Sequence, residues 1–314
     1  MIQRLLPLLL VACTPAAQTV GAWTTAVDTG ATAPGSSGAA SDDGTVADGT
    51  SSSGDDVESG SAAATGSDDA DASSSGAAAV PPWVVTVTAK PDGAPMLQIL
   101  ALVADDAIEV HDGCTFAGLA VADGLGWRAD GRLVGTDAAT GTLWQADPCD
   151  CTVGVVDGIE PPPLLHALTE RGDGSDGRVF GVDDGRAAIV ELDLDLALTL
   201  AAFDRPDAAV VLALASDDET LVALLERAGP VLQRIDPDDG AVLQEQALTL
   251  PPDTRGLTRN PAGDGFVACS ADGSLWRIAA DGATTALGEP LASACRTLAT
   301  PHGPVACIDA ALGG

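Results

Sequence analysis

Cysteine offers the most chemistry in this chain, and its seven copies fall into two sets. Cys13 stands alone after an apolar run, Leu5 to Ala12, that Arg4 precedes and Pro7 interrupts. The other six are Cys114, Cys149, Cys151, Cys269, Cys295 and Cys307. An apolar run this short, led by one positive charge, cannot span a bilayer and has the build of an export signal. Export implies an oxidising compartment, where six thiols read as disulfide candidates with fifteen possible connectivities. A Cys-x-Cys pair with His111, His166 or His302 could bind zinc, but its spacing fits no standard knuckle. No metal or other cofactor is expected.

The remaining chemistry-bearing residues are sparse. There is no Gly-x-Ser-x-Gly elbow and no histidine near an activatable serine, so nucleophilic catalysis finds no footing. The acidic runs Gly172-Asp173-Gly174-Ser175-Asp176-Gly177 and Asp236-Pro237-Asp238-Asp239-Gly240 lack the ligand order of a calcium loop and its terminal glutamate. Turn chemistry accounts for them without an ion. Arg171-Gly172-Asp173 spells an adhesion tripeptide, which is read as chance.

The tetrapeptide Leu10-Val11-Ala12-Cys13 resembles the lipobox of bacterial lipoproteins. That resemblance implies lipidation of the Cys13 thiol, cleavage before it, and residues 1–12 as a lipoprotein signal peptide. Ordinary cleavage near Ala16 or Ala17 competes, with Thr14 and Pro15 making a poor small-x-small site. Several acyl chains anchor stably where one does not. By the same resemblance, Thr14 in place of Asp points to the outer membrane. The chain is thus expected to be extracytoplasmic and membrane-anchored.

Residues 13–81 follow as an acidic Ala/Ser/Gly/Asp linker, with ten carboxylates and no Lys or Arg after Cys13. Such a segment cannot bury enough apolar surface to offset its ordering entropy, and a random coil of that length reaches roughly 45 Å. Pro81-Pro82-Trp83 ends it. The whole chain carries −32; setting aside the ten linker acids and Arg4 leaves −23 on residues 82–314. So acidic a domain excludes nucleic acid as a partner and direct adhesion to anionic lipid.

Residues 82–314 are internally repetitive. A turn followed by apolar alternation recurs as Gly141-Thr-Leu-Trp144, Pro230-Val-Leu-Gln233 and Gly273-Ser-Leu-Trp276, with a degenerate copy at Ala188-Ile-Val-Glu191. A second phrase precedes each copy or ends the chain, as in Gly131-Arg-Leu-Val, Gly177-Arg-Val-Phe, Gly265-Phe-Val-Ala and Gly303-Pro-Val-Ala. Short period-two strands at a spacing of 42–47 residues are the pattern of a β-propeller blade. Thr220 to Ala228 could pass for a helix but sits where a second strand belongs. Four blades are expected at 115–157, 164–204, 208–250 and 254–291. A fifth closes the ring, with 295–309 giving its inner two strands and Val84 to Thr88 and Leu97 to Val103 its outer two. The fold class is therefore all-β, a five-bladed propeller with a blade shared between the chain's ends.

The phrases "GRLVGTDAATGTLWQADP" and "DGSLWRI" look like those of bacterial extracytoplasmic propellers of the regucalcin-like, NHL-like and YVTN-type groups. Propeller topology and repeat symmetry then suggest Cys269–Cys295 within the fourth blade and Cys114–Cys307 across the closing blade. Cys295–Cys307 is the chief rival, and Cys149-Asp150-Cys151 is left as a vicinal bridge or a free pair. Lactonases of the regucalcin group hold a metal with Glu, Asn and Asp, and Asn260 is the only asparagine available. Its place beside Pro261, at the far end of an inner strand, suits that role poorly. The sequence thus points to an envelope-tethered, non-catalytic propeller that binds a protein or envelope partner. A hydrolase of lactonase type and a purely structural role are the alternatives.

Cys13→Ala should abolish acyl labelling and release the chain from membranes, as fractionation would detect. Membrane association that survives the substitution would contradict the anchor.

Overall fold

The computed structural model describes residues 82–119, 122–159, 164–171, 177–204, 210–217 and 219–313. The expectations for residues 1–12, Cys13 and the linker lie outside the described residues. So do residues 172–176, which hold most of one acidic run and part of the adhesion tripeptide.

Alternating sequence makes strands here, and turns rich in Asp and Gly end them. β1 (Trp83–Ala89), β2 (Pro95–Leu102) and β3 (Ile108–Thr115) form a three-stranded antiparallel sheet. Four sequential four-stranded meanders follow. The first is β4 (Ala122–Trp127), β5 (Leu133–Asp137), β6 (Leu143–Ala146) and β7 (Val153–Val155). The second is β8 (Leu165–Glu170), β9 (Arg178–Asp183), β10 (Ala188–Asp193) and β11 (Leu198–Asp204). β12 (Val210–Ser216), β13 (Leu221–Glu226), β14 (Pro230–Ile235) and β15 (Val242–Ala247) make the third. The fourth is β16 (Thr254–Arg259), β17 (Phe266–Ser270), β18 (Leu275–Ile278) and β19 (Thr284–Leu287). A short helix, α1 (Ala306–Ala311), follows the last meander. The helix-like run at 220–228 is strand β13. The five blades form a ring, and the chain is a five-bladed β-propeller.

A twisted four-stranded sheet buries both faces only if a neighbour covers each, and five apolar clusters supply that cover. Phe180, Ile189, Leu214 and Leu225 pack between the second and third meanders, while Leu224, Leu257 and Phe266 pack between the third and fourth. Trp127 and Trp144 are almost wholly buried between the N-terminal sheet and the first meander. Gly135 has no Cβ because one there would collide with the Trp144 ring and the Gly124 carbonyl. Truncating either tryptophan to alanine would cost about 3–5 kcal/mol.

Aspartates make the turns. Asp137, Asp183 and Asp193 each accept backbone N–H bonds from residues two and three further on. Asp236 and Asp239, in the second acidic run, do the same for Asp238 and Ala241 at 2.8 Å each, while Asp238 pairs with Arg171. This side-chain mimicry of a backbone turn explains much of the acidity without any ligand.

The closing blade is shared between the chain's ends, but its strand order differs from the expectation. Ala299 pairs with Val85 through reciprocal N–H···O bonds of 2.9 and 3.0 Å. The C-terminal segment therefore supplies one inner strand and the N-terminal segment three. Residues 303–309, read as a second inner strand by analogy with Gly265 to Asp272, instead lead into α1, which buries Ile308 beneath the first meander. β1 takes the second position, and β3 becomes the outermost strand. Trp83 Nε1 donates to Asp309 Oδ1 at 3.0 Å, tying helix to first strand.

Moving Cys307 onto a helix changes the disulfides. The structure joins Cys269 to Cys295, Cys114 to Cys151, and Cys149 to Cys307. The expected Cys114–Cys307 bond required Cys307 at the end of a second strand, and its rival Cys295–Cys307 required the two cysteines to flank the Pro301-His302-Gly303 turn symmetrically, but Cys307 lies in α1. Cys149 and Cys151 are neither vicinally bridged nor free: the turn after β6 holds β3 through one and α1 through the other. Replacing Cys149 and Cys307 by serine, which opens a loop spanning 158 residues, should cost about 2–5 kcal/mol in denaturant unfolding. Recovery of a Cys114–Cys307 peptide under non-reducing conditions would overturn this connectivity.

Candidate functional site

The innermost strands of the five blades converge on one axis, and a short sequence phrase recurs where they meet. It reads Asp123-Gly-Leu125 in β4, His166-Ala-Leu168 in β8, Leu212-Ala-Leu214 in β12, Arg255-Gly-Leu257 in β16 and Arg296-Thr-Leu298 in the closing strand. The leucines, each at most 3 % exposed, line a common axial space of only about 10 Å³. One water needs roughly that volume, so the axis is plugged and not a conduit. The small residue between is needed for ring packing: a Cβ on Gly124 would lie 2.9 Å from the Leu168 nitrogen, and one on Gly256 would lie 2.6 Å from Cys269 Sγ. Each of the four meanders carries a register shift at this level of its inner strand, which leaves Asp123, Ala167, Leu212 and Arg255 outside the regular ladder.

The first residues of the five phrases, Asp123, His166, Leu212, Arg255 and Arg296, share one cleft of about 350 Å³ above the leucine plug. His166 Nε2 lies 3.0 Å from the Val211 carbonyl and its Nδ1 3.0 Å from an Asp184 carboxylate oxygen. Arg255 Nη1 donates to the carbonyls of Pro252 and Thr254, which fixes its direction. Burial pushes the Asp123 carboxyl above the usual carboxylate range, against the opposing pull of His166, Arg296 and Arg255. Glu226 lines the outer wall and is exposed.

The arginines of this mouth differ from most of the described others. Arg128, Arg171, Arg186, Arg227, Arg234 and Arg277 each hold a carboxylate within 4.0 Å. Among the described residues neither Arg255 nor Arg296 has one. Both pull on the Asp123 carboxyl in the same cleft, but neither holds it within 4.0 Å, which leaves guanidinium donors that an outside oxyanion could take up.

The opposite end of the axis is laced shut. Glu170, buried at the end of β8, lies 3.2 Å from His302 Nε2 and accepts the Trp127 N–H at 3.4 Å. Thr258 donates to Thr300, which donates to the Arg259 carbonyl at 2.6 Å. His111 is on β3 beside Glu109. Asn260 holds its own turn, with Oδ1 accepting the Ala262 N–H and Nδ2 donating to the Asp264 carbonyl. Its amide is thus committed to its own turn. No group of three His, Cys, Asp or Glu side chains among the described residues is arranged to hold a metal ion.

Sequence reasoning weighed His166 only as a zinc ligand beside the Cys-x-Cys pair, a role its spacing did not favour, and did not single out Asp123, Arg255 or Arg296. The signal was present: a residue, a small residue and a leucine, repeated at the head of every blade.

No protein-family model matches the chain, and no curated protein sequence matches it. Among solved structures, a chain of a nidogen/laminin complex is similar over 69 % of this chain and 97 % of its own, at 11 % identity and a TM-score of 0.47. Virginiamycin B lyase from Staphylococcus aureus is similar over 68 % of this chain and 71 % of its own, with 15 % identity and a TM-score of 0.41. The Dos1 propeller follows at 15 % identity, 62 % and 56 % coverage and a TM-score of 0.37.

Because burial raises the folded-state pKa of Asp123, its ionisation costs stability at pH values above that pKa and costs nothing below the unfolded value. Asp123→Asn should therefore stabilise the protein at neutral pH, with the gain fading as the pH falls through the folded-state pKa and gone below about 4. Denaturant midpoints measured against pH check this. A loss of stability at neutral pH would instead make Asp123 a required counter-ion.

Proposed function

We propose that this chain is a lipid-tethered, non-catalytic β-propeller of the cell envelope that binds a partner through the mouth formed by Asp123, His166, Leu212, Arg255 and Arg296. Lipidation at Cys13 would hold it at the membrane, and residues 13–81 would let the propeller at 82–314 reach away from the surface. The disulfides support an extracytoplasmic setting, since such bonds persist where thiols are not kept reduced. No helix among the described residues is long and apolar enough to cross a membrane. The observation that carries the binding reading is the pair Arg255 and Arg296, without ion-paired carboxylates among the described residues.

A hydrolase reading draws on Asp123, whose raised carboxyl shares the cleft with His166. Among the described residues no serine or cysteine lines the cleft, so that reading would need water activated by Asp123 or His166.

The test is affinity capture from envelope extracts by the unlipidated Cys13→Ala chain, run beside the same chain carrying Arg255→Gln and Arg296→Gln. A partner enriched by the first and reduced tenfold or more by the second is expected. Equal recovery by both would place binding elsewhere, and turnover of model esters or lactones that Asp123→Asn abolishes would favour the enzyme.

A further inference from the structure

Arg296 lines two cavities. One is the axial cleft. The other is a recess of about 200 Å³ between the closing blade and β4, lined by Val87, Thr88, Ala89, Pro95, Ala122 and Ala294. Apart from Arg296 and Thr88, no side chain in that recess carries a polar group. A guanidinium at the junction of a charged mouth and an apolar hollow suits a ligand with both characters: oxyanion geometry matches the Arg fork, and hydrocarbon gains by leaving water.

We infer that the mouth binds an organic oxyanion with an apolar arm, its carboxylate or phosphate between Arg255 and Arg296 and its arm in the recess beyond Arg296. This rests on the binding function assigned above to the same mouth. Arg296 lines both cavities, so a head group held by its guanidinium lies beside the recess. Arg255 is aimed by two backbone carbonyls, and its position costs little to organise on binding. The domain's net negative charge does not prevent capture. At physiological ionic strength charges beyond about 8 Å are screened, and inside the cleft Arg255 and Arg296 stand with His166 against the carboxyls of Asp123 and Glu226. Leu212 closes the mouth on the side of Arg255 away from Arg296, which leaves the recess as the apolar exit for an arm.

Titration calorimetry on the full chain carrying Cys13→Ala, where no acyl chain competes, tests this with octanoate, octyl phosphate, acetate, inorganic phosphate and octyl glucoside. Octanoate or octyl phosphate should bind at one site, tightening about fourfold for each methylene that enters the recess. The head bound more tightly identifies the oxyanion. Acetate, inorganic phosphate and octyl glucoside should each bind at least a hundredfold more weakly. Arg296→Gln, a change at an exposed residue, should weaken the octyl ligand tenfold or more. Ala294→Phe should remove the chain-length dependence while leaving binding of the head intact, with thermal melts confirming the fold of both variants. Anion binding that depends on Arg255 and Arg296 but not on chain length would overturn the apolar arm and leave the binding mouth standing. Absence of binding by every anion tested would overturn this inference alone, if Arg255→Gln and Arg296→Gln still abolish capture of the envelope partner. Should capture also be unaffected, the mouth itself falls.

Discussion

The pairing of Val85 with Ala299 is the contact on which the rest of the propeller depends. Two hydrogen bonds join strands 214 residues apart in sequence, and without them the ring has two open edges and two uncovered sheet faces. Each neighbouring contact reinforces that seam. Trp83 reaches Asp309 across it, the Cys149–Cys307 bridge holds α1 to the first meander, and the Trp127 and Trp144 layer packs beneath. Closure also places Arg296, from one end of the chain, beside Asp123, which follows the segment contributed by the other. The mouth is therefore a product of the seam and could not exist in an open array of four blades.

Charge is distributed by the same logic. The many aspartates are largely turn-makers, their carboxylates turned onto backbone N–H groups two or three residues on, and Asp150 and Asp272 are held below the ordinary carboxylate range by such bonds. Arginines on the blade surfaces take up nearby carboxylates. Asp217, for instance, is held low by hydrogen bonds from Thr220 and Arg234, which outweigh its partial burial. These pairs are partly exposed and each contributes little to stability. Against that background Arg255 and Arg296 stand out, since among the described residues neither has a carboxylate within 4.0 Å, although both pull on Asp123. The five leucines beneath them bound a space of only about 10 Å³, near that of one water.

Most of the architecture was legible because blades announce themselves twice, in period-two strands and in turn residues spaced 42–47 apart. Four blade boundaries and the Cys269–Cys295 bridge follow from that symmetry. Symmetry misled where the chain ends. Gly303-Pro-Val-Ala-Cys looks like Gly265-Phe-Val-Ala-Cys, but no following strand pairs with it. Val305 to Ala311, rich in alanine with Ile308 on its buried side, settles as a helix. β3, from Ile108 to Thr115, alternates in polarity and was still passed over, because the closing blade had already been given four strands. The mouth was missed for a different reason. Asp123, His166, Arg255 and Arg296 lie far apart in sequence and differ in chemistry, so only the leucine two residues on reveals that they are equivalent.

Hydrogen exchange at single-residue resolution on the Val85 and Ala299 amides tests ring closure most directly. A closed ring predicts that both exchange only as fast as the innermost strands β8 and β12, through global unfolding. Exchange of either amide at the rate of a surface turn, while those strands stay protected, would show an open seam and contradict the account.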